Sequence, residues 1–224
     1  MNKVIRRFFL SLIPFLLAAI VFFGLRFYNT FFASNTKFES EDIKLYIKPN
    51  SDFNEINSQL NSFLKSSFYF NLAAEKKGYS SRVKSGLYVI PKQSNNNEII
   101  NILRSKSETV KVVFNNHERI ENLAGRVSRQ IALDSVSLLK AFYDKNFMLL
   151  NGFNSLNAIS MYLPNTYELF WDTSANNFRN KMLESYNSFW NNKRILKAKQ
   201  IGLSQQEVSV LASIVQRESV MKDE

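Results

Sequence analysis

The residues that could carry chemistry are concentrated near the end of the sequence, where Glu218 follows an apolar repeat. Ser204 and Glu207 have the spacing of a capping box, which predicts that a helix begins there. Apolar residues then recur at helical spacing, at Val208, Leu211, Ile214 and Val215. At about 100° per residue, Glu218 falls on this predicted buried face, whereas Gln216 and Arg217 turn away from it.

A carboxylate on the buried face of a helix is suited to acid catalysis. Desolvation and a nearby helix C-terminus both disfavour its charged form, so the pattern predicts a proton that is retained near neutral pH. Such a side chain is a candidate general acid. The alternative is that the helix end frays and Glu218 reaches water.

A second group of polar and aromatic side chains surrounds Pro164. The proline is expected to fix a bend, and the neighbouring hydroxyl, amide and aromatic groups suit a sugar ligand. These groups belong to Tyr162, Asn165, Thr166 and Tyr167. A plain turn between helices is the alternative interpretation.

The amino-acid composition excludes several classes of catalytic and metal-binding site. The chain has no cysteine, which excludes disulfides, thiol catalysis and cysteine metal sites. Its single histidine, His117, leaves little material for a histidine metal site or a Ser/His/Asp relay. We therefore expect carboxylate chemistry, with no cofactor and no metal. Although the net charge is +10, the cations are spread among acidic residues, so no nucleic-acid partner is expected.

The N-terminal segment predicts a membrane anchor. From Phe8 to Leu25 there are 18 residues without charge. As a helix this run covers ~27 Å, close to the thickness of the hydrocarbon layer. Lys3, Arg6 and Arg7 precede the run, so the N-terminus is expected in the cytoplasm and the rest of the chain outside it. A cleaved signal peptide is the alternative.

A small module with an internal repeat is predicted after the anchor. Residues 46–60 and 88–103 each predict a short strand, a proline-terminated turn and a helix. The first helix is expected to be opened by Asp52 with Glu55, and the second by Ser94 and Asn95 ahead of Glu98. Small glycan-binding modules have this arrangement, although two copies of a common element could equally serve packing alone. The aromatic cluster 68–70 could stack on sugar rings or fill a core.

The remaining sequence predicts a strand over Thr109–Phe114 and then mainly helices. Asp134 is expected to open one of these helices. Another helix is predicted to have an apolar face made of Phe178, Met182, Tyr186 and Phe189. Together with the module, these elements predict an α+β fold.

Several of these features, in this order, resemble the endolytic murein transglycosylases, the MltG or YceG-like family. The features are the anchor, the small module, the stretch Tyr162-Leu163-Pro164-Asn165-Thr166-Tyr167, and the stretch Leu211-Ala212-Ser213-Ile214-Val215-Gln216-Arg217-Glu218-Ser219. The resemblance implies an anchor, a linker, a LysM-like module and a mostly helical catalytic α+β domain, at residues 1–33, 34–43, 44–107 and 108–224.

The resemblance also implies an activity. Glu218 would be the catalytic residue of a lytic transglycosylase that cleaves peptidoglycan strands and leaves 1,6-anhydromuramoyl ends, while Tyr162, Asn165, Thr166 and Tyr167 would bind the substrate. The implied location is the inner cell membrane, crossed once. The implied partners are that membrane and glycan strands, with peptidoglycan synthases as further candidates. A membrane-tethered scaffold or wall-binding protein without enzymatic activity is the alternative.

The sequence departs from the family pattern at three points. Gln216 stands where many relatives have glutamate, and Asn165 stands where many have aspartate. The family's catalytic domain continues past the glutamate that corresponds to Glu218, so we expect this chain to lack the C-terminal part of the domain.

Overall fold

The fold is mixed α+β and mostly helical, which confirms the predicted fold class. The structure, a computed structural model, describes residues 3–38, 41–116 and 119–220. The chain divides into two compact units, Met1–Glu108 and Thr109–Glu224. Among the described residues, each unit contains one hydrophobic core and one two-stranded antiparallel sheet.

The first unit begins with the apolar helix α1 (Lys3–Phe31). Within the described part of the chain, α1 is the one helix long and apolar enough to cross a membrane. Its 20-residue segment Leu12–Phe31 has a mean hydropathy of 1.8, and the side chains of residues 12–29 are exposed. An exposed apolar helix of this length is compatible with a single-pass anchor or a signal sequence.

The rest of the first unit is a small module of two strands and three helices among the described residues. In chain order these are β1 (Ile43–Ile47), α2 (Phe53–Asn61), α3 (Ser67–Lys76), β2 (Gly86–Ile90) and α4 (Asn96–Arg104). The two strands pair antiparallel, with Ile43 opposite Ile90 and Ile47 opposite Gly86. The apolar faces of the helices pack on this sheet to form the module's core.

Local sequence determines where the helices of the module begin. The side chains of Asp52 and Asn95 accept hydrogen bonds from backbone N–H groups in the first turns of α2 and α4, as the capping patterns predict. Gly86, at φ +133°, begins β2 where a Cβ atom would lie 2.4 Å from the Cβ of Ser107. Only glycine allows this close approach of the chain.

A buried polar network connects the end of α1 to the module. The Asn35 amide nitrogen donates to the Asn96 side-chain oxygen (2.7 Å) and to the Ser66 carbonyl (2.8 Å). Asn96 in turn donates to the carbonyl of Thr30 (2.9 Å). Asn35 lies in the segment 34–43 that we predicted as a linker, yet it is only 4% exposed. Its polarity reflects hydrogen bonding inside the protein rather than contact with solvent.

The second unit contains a two-stranded sheet and several helices. The strands β3 (Thr109–Phe114) and β4 (Asn165–Phe170) pair antiparallel, with Phe114 opposite Asn165. The helices are α5 (Ile120–Ser128), α6 (Ser135–Phe142), α7 (Lys145–Leu150), α8 (Ala175–Phe189), α9 (Asn192–Gln200) and α10 (Gln205–Val220), with a 3₁₀ turn at Ala158–Met161. The bounds of β3 match the predicted strand, and Asp134 caps α6 as predicted.

Aromatic rings fill the core of the second unit. Phe114 of β3 stacks on Tyr167 of β4, with ring centroids 5.4 Å apart. Phe142 of α6 contacts Phe178 of α8 at 5.9 Å, and both rings are almost completely buried. Phe178, Met182 and Tyr186 of the predicted apolar face of α8 are therefore confirmed as part of this core, whereas Phe189, at the end of the helix, is 41% exposed.

Candidate functional site

Helix α10 carries Glu218, and its N-terminal end forms as the capping pattern predicts. The backbone N–H of Ser204 donates to the Glu207 carboxylate (2.7 Å), and the Glu207 N–H donates to the Ser204 hydroxyl (3.2 Å). This exchange is the predicted capping box. The hydrogen bonds to Ser204 hold the pKa of the Glu207 carboxyl below its usual value.

The predicted burial of Glu218 on α10 is wrong, because its side chain is exposed. The apolar stripe before it exists, but Leu211 is 48% exposed and Ile214 is 53% exposed. Val208, the first residue of the stripe, packs against the core, so the stripe is in contact with the unit at its start and exposed further along the helix. Periodicity identifies the stripe, but it does not specify how far along the helix the packing partners extend.

Gln216 faces the body of the unit, which also contradicts the prediction that it turns away. The side-chain amide nitrogen of Asn116 donates a hydrogen bond to the Gln216 oxygen. Asn116 lies two residues beyond Phe114, the last residue of β3, and Phe114 is paired with Asn165. The last turns of α10 therefore lie at the end of the sheet where β4 begins.

Two of the predicted substrate-binding residues lie at the same end of the sheet. Asn165 and Thr166 are the first residues of β4, and both are exposed. The Asn165 side-chain oxygen accepts a hydrogen bond from the Thr166 backbone N–H (2.8 Å). The proline-fixed bend is thus shorter than predicted, because regular strand structure begins directly after Pro164.

The two predicted substrate-binding tyrosines belong to the core instead. Tyr162 is 5% exposed and contacts Phe142 at a centroid distance of 4.6 Å. Tyr167 is 6% exposed, and its hydroxyl donates to the Leu163 carbonyl (2.6 Å). Burial raises the pKa of both phenols. The expectation that these rings offer faces to a sugar is therefore wrong for this structure.

Sequence reasoning missed a buried cation near Tyr162. Arg179 of α8 is 7% exposed and forms an ion pair with Asp144 (3.1 Å), while its guanidinium lies 3.6 Å from the ring centroid of Phe147. Backbone N–H donation from Phe147, together with Arg179, holds the pKa of the Asp144 carboxyl below its usual value. The sequence position of Arg179 was the available indication of its burial, because it directly follows Phe178, which lies on the apolar face of α8.

A separate open hollow lies on the module of the first unit, beside α2. Its volume is about 550 Å³, and each lining residue has a side chain that can form hydrogen bonds. The lining residues are Lys48, Ser51, Asn54, Glu55, Ser58 and Gln59. We call this feature the α2 hollow.

The described residues contain no group of three or more His, Cys, Asp or Glu side chains placed to hold a metal ion. His117, which we gave no catalytic role, lies outside the described residues.

Comparison with known proteins gives a family match. The sequence model of the YceG-like family matches residues 45–224. A crystal structure of a protein described as yceG-like, from Listeria monocytogenes, is similar with a TM-score of 0.41 and 16% sequence identity. This similarity covers 75% of the chain and 61% of the Listeria chain, so the chain spans less than two thirds of that protein's length. No curated protein matches the chain.

Proposed function

Because the chain belongs to the YceG-like family, we propose that it is a membrane-anchored endolytic lytic transglycosylase, which cleaves peptidoglycan glycan strands during cell wall assembly. The observation that carries this proposal is the position of Glu218. Its carboxylate is exposed on α10, whose last turns reach the end of the sheet where Asn165 and Thr166 are also exposed. A long polymer can reach an acid and hydrogen-bonding groups placed in this way.

The chemistry of a lytic transglycosylase requires one acid–base residue. Glu218 protonates the glycosidic oxygen, so the bond from this oxygen to the anomeric carbon breaks and the leaving sugar gains a hydroxyl. The C6 hydroxyl of the muramic acid then attacks the anomeric carbon and returns its proton to Glu218. The product is a 1,6-anhydro ring, and no water is consumed. Ordinary glycosidases instead use a pair of carboxylates.

Exposure of Glu218 is compatible with this role, because the substrate can supply the missing burial. A glycan that lies across Leu211 and Ile214 would cover the apolar stripe and displace water from the carboxylate. Desolvation disfavours the charged form of a carboxyl group and so favours retention of the proton to be donated. Asn165 and Thr166 would orient the strand.

The proposed location is the inner membrane, with α1 as a single-pass anchor. Lys3, Arg6 and Arg7 precede its apolar run, and cations are enriched on the cytoplasmic side of such segments. The N-terminus is then cytoplasmic, and the remainder of the chain faces the cell wall, where its glycan substrate and peptidoglycan synthases act.

The test is to incubate the natural protein with uncrosslinked glycan strands and to detect anhydro-ended products by mass spectrometry. Loss of a general acid typically lowers the rate by about 10²–10⁴-fold, and we expect a loss of this size for Glu218→Gln. Glu184→Gln is the matched control, because Glu184 is an exposed glutamate of the same unit that pairs with Lys181 across one helical turn. Full cleavage by Glu218→Gln rejects the assignment.

The second candidate function is a tethered, non-enzymatic protein that binds peptidoglycan, and the α2 hollow favours it. A LysM-like module would use such a surface of amides and hydroxyls to hold sugar hydroxyls. This function predicts that Asn54→Ala together with Ser58→Ala weakens binding to purified sacculi, whereas Glu218→Gln does not. If neither variant changes binding or product formation, both functions fail.

A further inference from the structure

An exposed aromatic side chain at the start of α3 is unexplained by the proposed chemistry. Phe68 is 60% exposed, whereas Phe70, two residues later, is fully buried in the module's core. The guanidinium of Arg26 lies 5.6 Å from the centroid of the Phe68 ring, and Tyr69 lies 5.4 Å from it on another side. Phe68 is therefore positioned against α1 and faces outward from the module.

The contact with Arg26 fixes the height of Phe68 along the apolar helix. Arg26 is the first charged residue after the uncharged run Phe8–Leu25. A charge is costly in the hydrocarbon layer, so the membrane surface is expected near this residue. Exposed aromatic residues follow directly, at Phe27, Tyr28 and Phe32, and aromatic rings are enriched at the membrane–water interface. The ring of Phe68 lies at the same level as this aromatic belt.

The module cannot easily move Phe68 away from that level, because buried hydrogen bonds hold α3 against α1. Ser66, the N-cap of α3, donates its backbone N–H to the Asn35 side chain (2.8 Å). Asn35 is joined through Asn96 to the carbonyl of Thr30 in the last turn of α1. Breaking this connection would leave buried polar groups without partners.

The charges around Phe68 suit a lipid surface. The segments 24–38 and 61–70, which contain the end of α1 and the start of α3, include no acidic residue. They carry three cations, Arg26, Lys37 and Lys65, all of them exposed. Cations close to a bilayer are attracted to anionic headgroups.

We infer that Phe68 is a second membrane contact, which inserts into the interface of the leaflet at the C-terminal end of α1 and holds the module on the lipid surface. The inference rests on the proposal that α1 spans a membrane. An apolar side chain at the interface, flanked by cations, has the character of a peripheral membrane anchor. The module is then held at the bilayer and does not extend freely from it.

The absence of cysteine allows a direct test on the full chain. Single variants Phe68→Cys, Glu75→Cys and Phe22→Cys are labelled with an environment-sensitive nitrobenzoxadiazole dye in vesicles of phosphatidylcholine and phosphatidylglycerol. Glu75 is the matched control, because it is exposed seven residues later on α3 and so lies on the same face of that helix. Phe22 reports on α1 itself.

We expect the emission at position 68 to shift to shorter wavelength, to be quenched by spin-labelled lipid and to lose quenching by iodide, while position 75 stays accessible to iodide. If position 22 is quenched by lipid but position 68 is as accessible to iodide as position 75, the anchor holds and the inference is overturned. Accessibility to iodide at position 22 overturns the anchor and the inference together. Shielding at position 68 that increases with the protein-to-lipid ratio indicates contact with a second copy and also overturns the inference.

Discussion

Helices α4 and α10 begin in the same way and differ in what their apolar faces contact. Each begins with a reciprocal capping box, formed by Asn95 and Glu98 in α4 and by Ser204 and Glu207 in α10. The apolar residues of α4, which are Ile99, Ile100 and Leu103, are fully buried. The corresponding stripe of α10, which includes Leu211 and Ile214, is about half exposed.

This difference shows that the start of a helix and the burial of its apolar face depend on different parts of the sequence. A capping box acts within one turn of chain, so it specifies the start of a helix wherever that helix lies. Burial depends on residues outside that turn, such as those of α3, which contacts α4. The same pattern is therefore buried in the core of the module in α4, whereas in α10 it is an exposed apolar stripe on the helix that carries Glu218.

The largest effect that distinguishes the two helices is expected from a matched pair of leucine truncations. Leu103→Ala removes a fully buried side chain and should lower the free energy of unfolding by about 3 kcal/mol. Leu211→Ala removes a side chain that is 48% exposed, so we expect a change below about 0.5 kcal/mol. Denaturant titration with hydrogen exchange at each helix measures both. Equal losses would show that the α10 stripe is buried in solution.

A smaller loss is expected when the buried polar contact of α4 is removed. Asn96→Ala leaves the Asn35 amide and the Thr30 carbonyl each without one buried partner, at a cost of roughly 2 kcal/mol. Asn101→Ala is the control on the same helix, because Asn101 is exposed and accepts a hydrogen bond from the exposed end of Lys77. We expect the control to change the free energy of unfolding by less than about 0.5 kcal/mol. A neutral Asn96→Ala would mean that water replaces the lost hydrogen bonds.

The comparison of α4 and α10 also shows which parts of the fold could be predicted. Caps at Asp52, Asn95, Asp134 and Ser204 act locally and were read correctly, as was the strand Thr109–Phe114. Strand β4 was missed, because a strand rather than a turn follows Pro164 only through pairing with β3, about 50 residues earlier. The burial of Asn35 was missed for the same reason. Its polar side chain suggested a linker, because its buried partner Asn96 is 61 residues away in the sequence.

The candidate site was predictable only as a set of residues. The sequence nominated Glu218, Asn165 and Thr166 as candidates, and the last two are exposed at the start of β4. The aromatic character of Tyr162 and Tyr167 was compatible with either a core or a sugar platform, and only their contacts distinguish these roles. Glu218 is exposed although Val208, on the same predicted stripe, packs against the core, and local spacing does not specify where along a helix the packing ends.

Removing the helix caps should lower the stability by an intermediate amount, and the part of the chain that is affected should differ between α4 and α10. Asn95→Ala and Ser204→Ala each remove one side-chain acceptor, and each should cost about 1 kcal/mol. In α4 the buried face resists local opening, so we expect the loss to appear as lower stability of the module. In α10 we expect fraying of the first turns, seen as faster hydrogen exchange there. Asn95→Ser and Ser204→Thr retain a cap and should behave like the natural chain.

The smallest effect is a pH dependence at the start of α10. Hydrogen bonds from Ser204 lower the pKa of Glu207 from its usual 4.5, so the folded helix favours the charged carboxylate. A lowered pKa contributes stability above pH 4.5, and this contribution is lost as the pH falls through the folded value. The amide resonance of Ser204 should therefore move in acid as the first turn of α10 opens. Glu207→Gln should remove this titration, and if the movement persists in that variant, another group controls the opening of α10.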